Sequence, residues 1–153
     1  ELSNERTLIL SSDKDFIQLQ QYDNVKQFSP IAKKFITDKD PKSYLDEHIL
    51  RGDKSDGIPN ILSDDNVFVE ERRQIPLTKK KIAELDMDNL SESNNYRYSR
   101  NKTLIDLSCI PERIEEKILT EWKETDQCNS KKDMLNYFMK HRLKNLMEVI
   151  EEF

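Results

Sequence analysis

Two short stretches hold the side chains able to do chemistry. In Ser11-Ser12-Asp13-Lys14-Asp15, two aspartates stand one residue apart, just past the apolar run Thr7-Leu8-Ile9-Leu10. In Arg51-Gly52-Asp53-Lys54-Ser55-Asp56-Gly57-Ile58-Pro59, two more stand three apart, among both glycines of the 153-residue chain. Glycine reaches positive φ at no steric cost, so a chain this sparing of it places it where a tight loop has no other solution. Magnesium takes oxygen ligands, one or two carboxylates per ion, and retains several waters. Four aspartates on two loops therefore make half of a divalent-metal site, provided the loops meet. Each stretch alone also has a plainer reading. Asp13 and Asp15 suit a helix N-cap with an acidic first turn, and Gly52 suits a helix C-cap followed by a polar turn. The spacing of Asp53 and Asp56 does not fit a calcium EF-hand loop.

The elements that would position these residues follow from the apolar pattern. Thr7–Leu10 reads as a buried strand ending in a polar loop. Asp15–Gln21 reads as a short helix with Phe16 and Leu19 inward. Asn24–Ser29 and Lys34–Thr37 read as two further strands punctuated by Pro30. Pro41–Arg51 reads as a helix, with proline in the first turn, Tyr44, Leu45, His48 and Ile49 on one face, and Gly52 just past the end. A helix is expected to begin at Ile58–Leu62, followed by an irregular charged stretch to Pro76 and a basic amphipathic helix over Leu77–Leu85. Beyond that the pattern is helical: Glu92–Asp106 anchored by Tyr96, Leu104 and Ile105; Pro111–Lys123 with Ile114, Ile118, Leu119 and Trp122; and Ser130–Ile150 as two helices. The expected fold is an α/β remnant over residues 1–50, the C-terminal part of a mostly parallel sheet, followed by a mainly α-helical lobe over 51–153 with the glycine loop at the junction.

Hydrophobic residues make up 35% of the chain and charged residues 36%, so the core is modest and the surface highly charged. No apolar run approaches the roughly 20 residues a membrane helix needs, and no membrane partner is expected. Cys109 and Cys128 are far apart and form no CxxC pair, and with two histidines they do not suggest a zinc centre. Reduced thiols in a cytoplasmic setting are the default. Neither His48 nor His141 has a sequence neighbour that marks it as a nucleophile or ligand. The net charge of −5 argues against nucleic-acid binding only in sum, because basic residues cluster locally at Arg72-Arg73, at Lys79-Lys80-Lys81 and between Lys131 and Lys144. The three lysines at a helix start form either a solvated face or a phosphate-holding one. The chain begins at Glu1 with a strand signal within seven residues, as expected of part of a longer protein.

Leu8-Ile9-Leu10-Ser11-Ser12-Asp13-Lys14-Asp15-Phe16 and Arg51-Gly52-Asp53-Lys54-Ser55-Asp56-Gly57-Ile58-Pro59 resemble the 5′-nuclease superfamily of flap endonucleases and polymerase-linked nucleases. Within it they look most like the ribonuclease H family of T4-type bacteriophages. The likeness continues through Tyr96-Arg97-Tyr98, Leu104-Ile105-Asp106 and Ile110-Pro111 to the terminal Ile150-Glu151-Glu152-Phe153, as the C-terminal half only. Asn60 follows the proline where polymerase-type members turn glycine-rich, which favours the phage type and speaks against a potassium site.

The resemblance implies a magnesium- or manganese-dependent 5′ to 3′ nuclease that removes RNA primers and 5′ flaps during replication, with two ions in the intact enzyme. It assigns Asp13 and Asp15 to one ion, and Asp56 with Asp53 to the other. It implies a helix–three-turn–helix element over Ile58–Leu85 that grips duplex DNA, with Gly52, Lys54, Ser55, Gly57, Ile58, Lys79, Lys80 and Lys81 at the DNA. The remaining acidic ligands of the family, and its arch, lie upstream of these residues, so the chain alone is expected to be nearly inactive. The implied partners are duplex and flap DNA, RNA–DNA hybrid, the single-stranded DNA-binding protein and the sliding clamp, with the protein a monomer in the infected host's cytoplasm. The competing expectation is a non-catalytic DNA-binding or replication-protein-docking module.

Overall fold

The structure, a computed structural model, describes residues 5–124 and 131–152. Cys128, Ser130 and Phe153 lie outside the described residues. The chain divides into two compact units, Glu1–Ile110 and Pro111–Phe153.

In the first unit a small mixed sheet precedes helices. Strand β1 (Thr7–Leu10) pairs in parallel with β2 (Val25–Ser29), Thr7 facing Val25 and Leu10 facing Phe28. Strand β3 (Lys34–Ile36) runs antiparallel to β2, giving the order β1-β2-β3. Phe28 and Phe35 are cross-strand neighbours whose rings meet edge to face at 5.3 Å, a pairing that stabilises sheets locally. β1 differs from the buried strand expected. Side chains alternate faces along a strand, so Leu8 and Leu10 share the face opposite Ile9, and there both are exposed.

The connection from β1 to β2 is a 3-10 helix over Lys14–Gln21, where a short helix was expected. Asp13 caps it by accepting from the Asp15 amide at 3.0 Å. Its most buried residues are Ile17 and Gln18, with Phe16 and Leu19 half-buried. Helix α1 (Pro41–Arg51) has the predicted limits, with Asp40 as N-cap, proline in the first turn and Gly52 as C-cap. Ile49 packs with Ile58 and Ile105, and Leu50 with Ile61 and Leu77; Tyr98 touches both clusters. The core therefore brackets the glycine loop, with its last anchors before Gly52 and its next ones after Gly57.

No helix starts at Ile58. Residues 58–78 run through turns to helix α2 (Lys79–Glu84), so the span Ile58–Leu85 contains one helix where a helix–three-turn–helix needs two. Asn60 is the physical reason. Its carboxamide oxygen accepts from the Leu62 amide at 3.0 Å and the Ser63 hydroxyl at 3.0 Å, while its nitrogen donates to the Ile75 carbonyl at 2.9 Å. Such local side-chain bonds give the backbone an alternative to helix. The turns are tied to helix α3 (Glu92–Ile105) by Arg97 on Asp64, 2.7 Å, and by Arg100 on Asp65.

On α3 the inward face is Tyr98, Asn101 and Ile105, and Tyr96 and Leu104 are exposed. At about 100° per residue Tyr96 lies opposite Ile105, so the two cannot anchor together. A 3-10 turn (Leu107–Cys109) follows.

The second unit contains α4 (Glu112–Glu124), α5 (Lys131–Lys140), α6 (Lys144–Glu148) and a final 3-10 turn (Ile150–Glu152). Phe138 is its buried residue among those described. Among the described residues no helix is long and apolar enough to cross a membrane.

Candidate functional site

The loop after β1 leaves the carboxyl end of a parallel strand, where open α/β sheets place their ligands. It is held by the buried Gln27 of β2, whose amide donates to the carbonyls of Ser11 at 3.0 Å and Asp13 at 2.5 Å. Ser12 and Ser29 add a hydroxyl–hydroxyl bond of 2.6 Å. Gln18 then ties the 3-10 helix to the end of α3. It donates to the carbonyls of Asp15 and Ile105 and accepts from the Leu107 amide.

The glycine loop is fixed from the other side. Gly52 has φ 65° and ψ −176°, a region essentially restricted to glycine. A Cβ there would lie 2.3 Å from the Ile58 carbonyl oxygen and 2.6 Å from that of Pro59. Asn101, fully buried, donates to the carbonyls of Ile49 and Pro59, each at 2.9 Å, and so staples the end of α1 to the far side of the loop. Asp53 organises the loop itself. One carboxylate oxygen accepts from the Ser55 amide at 2.7 Å and from the Ser55 hydroxyl, and the Asp53 carbonyl accepts from the Ile58 amide at 2.7 Å.

Packing of α1 on the 3-10 helix brings these two loops together. They meet on His48, in the last turn of α1. Its Nδ1 lies 3.6 Å from Asp15 Oδ1 and its Nε2 3.3 Å from Asp53 Oδ2. The three side chains are 34% (Asp15), 14% (His48) and 25% (Asp53) exposed, and one donor atom from each falls within 4.8 Å of the others. Two carboxylates and an imidazole at that spacing form a donor set that suits a divalent cation.

The other two aspartates bear on Asp15 electrostatically. The Asp15 carboxyl is raised from its ordinary value, by burial first and then by Asp13, with Asp53 and Asp56 adding to the rise and His48 opposing it. Negative charge crowding one carboxyl is what a cation would relieve. Asp53 is lowered, chiefly by the Ser55 hydroxyl, with His48 contributing. The Tyr44 phenol, whose ring lies 5.9 Å from that of His48, is raised by burial and then by Asp15, Asp38, Asp53 and Asp13.

Of the residues singled out from sequence, Asp15 and Asp53 are in direct contact with the central His48, and Asp13 and Asp56 act on Asp15 through space. Lys54, Ser55, Asp56 and Gly57 form the exposed tip of the loop, while Ile58 is buried. Lys79, Lys80 and Lys81 are exposed on α2 and belong to a different element. Lys80 pairs with Glu84 at 3.8 Å, and Lys81 donates to the Pro76 carbonyl at 3.0 Å. Sequence reasoning missed His48, Gln27 and Asn101. For His48 a signal existed, since an acid five positions on, just across a glycine C-cap, folds back toward the last helical turn.

Residues 40–153 match the family described as T4 RNase H, C terminal. The chain is similar to ribonuclease H of Enterobacteria phage T4, 34% identical over 163 residues, which cover 99% of this chain and 53% of the phage protein. The chain thus spans about half the length of the curated relative it matches.

Proposed function

Because the chain belongs to the T4 ribonuclease H family, whose C-terminal half it matches, we propose that it supplies half of the metal-binding and DNA-gripping apparatus of a 5′ to 3′ nuclease. The observation that carries this reading is the meeting of Asp15 and Asp53, from loops far apart in sequence, on His48. In this reading Asp13 and Asp15 hold one magnesium or manganese ion. Asp56 holds the second, with Asp53 acting through a water. The bound ions supply an activated water and stabilise charge at the leaving oxygen. The residues of this chain contribute placement. Gln27 fixes the Asp13 loop, Asn101 and Gly52 fix the Asp53 loop, and burial keeps Asp15 in want of a counter-charge.

Lys54, Ser55 and the backbone around Gly52, Gly57 and Ile58 contact a phosphodiester backbone, and Lys79, Lys80 and Lys81 place further phosphates without reading sequence. The turn segment from Ile58 and α2 does the work of a helix–three-turn–helix. The substrates are duplex and flap DNA and RNA–DNA hybrid, and the protein acts as a monomer in the infected cell's cytoplasm. A docking role toward replication proteins, the single-stranded DNA-binding protein and sliding clamp among them, is favoured for α4, where Ile114, Ile118, Leu119 and Trp122 are all exposed.

The test is cleavage of a 5′-flap duplex in magnesium. The chain alone is expected to cut poorly, and the chain joined to the N-terminal half of the phage T4 relative is expected to cut well. Asp15→Asn or Asp56→Asn in the joined protein should abolish cutting. Undiminished cleavage by either variant contradicts the ligand assignment, and strong cleavage by the chain alone contradicts the half-site reading.

A further inference from the structure

Resting on that metal reading, we propose that His48 is itself a ligand, so that the cation at Asp15 is held by a nitrogen as well as by carboxylates. The geometry points there from both ring nitrogens. Asp53 Oδ2 lies 3.3 Å from Nε2 and engages that nitrogen. A neutral imidazole offers one N–H and one lone pair, and with Nε2 turned to Asp53 the nitrogen left to meet a cation is Nδ1. Nδ1 faces Asp15 Oδ1 at 3.6 Å.

With bonds of about 2.1 Å, two donors on one cation stand roughly 3.0 to 4.2 Å apart, and 3.6 Å falls inside that span. The arrangement of carboxylate, imidazole and metal is the one in which an outer carboxylate fixes the ring and raises its basicity. Here Asp53 is the outer carboxylate and Asp15 the co-ligand.

The ring is also held ready. His48 lies in the last turn of α1, its carbonyl accepts from the Gly52 amide at 2.9 Å, and the next residue, Ile49, is buried. Tyr44, one turn earlier, packs against the ring. Little rotamer freedom remains to be lost on binding. Imidazole nitrogen favours manganese and later transition ions over magnesium, so the site should be selective where an all-carboxylate site would be less so.

The experiment uses the full 153-residue chain, made with 15N-labelled histidine, and Mn2+ as the probe. Electron spin-echo spectroscopy reads nitrogen directly bound to manganese. His48 and His141 are the only histidines, so the assignment needs only two variants. Directly coordinated nitrogen is expected in the wild type and in His141→Gln, and is lost in His48→Gln, with the Mn2+-over-Mg2+ affinity ratio falling about tenfold. Bound Mn2+ without nitrogen coupling in the wild type overturns the proposal and leaves the carboxylate site standing. Coupling that survives His48→Gln also overturns it. If the wild type binds no Mn2+ at all, both this inference and the metal reading fail. The wild-type spectrum decides on its own, so poor folding of His48→Gln does not rescue the idea.

Discussion

Replacing Gly52 by alanine should cost far more stability than the same change at Gly57, although both glycines have positive φ. At Gly52 two penalties combine. The backbone at φ 65° and ψ −176° lies where a non-glycine residue costs about 1–3 kcal/mol. The added methyl would also stand 2.3 Å from the Ile58 oxygen and 2.6 Å from the Pro59 oxygen. These are backbone atoms, and the Pro59 carbonyl is pinned by Asn101 and Arg100, so it cannot swing aside. Overpacking of this kind adds about 1–3 kcal/mol. The sum is about 4 kcal/mol, a large share of the ~5–15 kcal/mol that holds a domain folded. At Gly57 a Cβ meets nothing within 4 Å, which leaves only a left-handed penalty of about 1 kcal/mol. Urea unfolding followed by far-UV circular dichroism and by amide cross-peaks of residues 5–110 measures the difference. The fluorescence of Trp122 does not serve, because that residue belongs to the other unit. With an m-value of ~2 kcal/mol/M, the Gly52→Ala midpoint should fall by about 2 M. A Gly52→Ala cost within ~0.5 kcal/mol of that for Gly57→Ala refutes the close-approach argument.

Three further outcomes follow from the same geometry. Asn101→Ala removes two buried hydrogen bonds and leaves the Ile49 carbonyl without its donor, so unfolding should be easier by about 2–4 kcal/mol; a loss under ~0.5 kcal/mol speaks against the staple. Asp53 titrates below its ordinary 3.8 because of Ser55 first, so it stabilises the fold above that ordinary value, and this contribution fades as pH falls through the lowered one. Ser55→Ala should raise the Asp53 carboxyl in a carbon-13 NMR titration and move acid unfolding to higher pH, and an unmoved Asp53 contradicts the assigned cause. Finally, 10 mM magnesium at a dissociation constant of ~1 mM should stabilise the fold by about 1.4 kcal/mol in thermal melts. Chelation should remove the gain and Asp15→Asn should abolish it. Without metal Asp15→Asn should be no less stable than the wild type, because its charge is disfavoured by burial and by Asp13.

Local signals carried much of the fold. Pro41 and Gly52 mark the two ends of α1, and the apolar runs mark the three strands, because caps and alternation are written within a few residues. What was not legible depends on distant partners. The turn at Ile58 combines local Asn60 bonds to Leu62 and Ser63 with bonds from Asn60 to Gln74 and Ile75, and no window around residue 60 contains the second pair. The inward face of α3 is set by Asn101 reaching two carbonyls, and an asparagine among tyrosines reads as surface until its acceptors are known. The exposure of Leu8 and Leu10 is equally invisible in a strand whose residues are those of a core. At the site, the aspartates were legible because their residue types suit one chemistry. For the histidine between them only its spacing to Asp53 across the glycine cap was legible, since its contact with Asp15 comes from the loop after β1 folding onto α1.

The most direct test of the central claim, that two loops converge on one shared cation pocket, is paramagnetic broadening of backbone amides by substoichiometric Mn2+. Amides of residues 13–16 and 53–57 should fade together at the lowest manganese concentration, and both sets should recover in Asp15→Asn. Fading of one loop without the other contradicts a shared site. So does broadening spread equally over the acidic surface of α4.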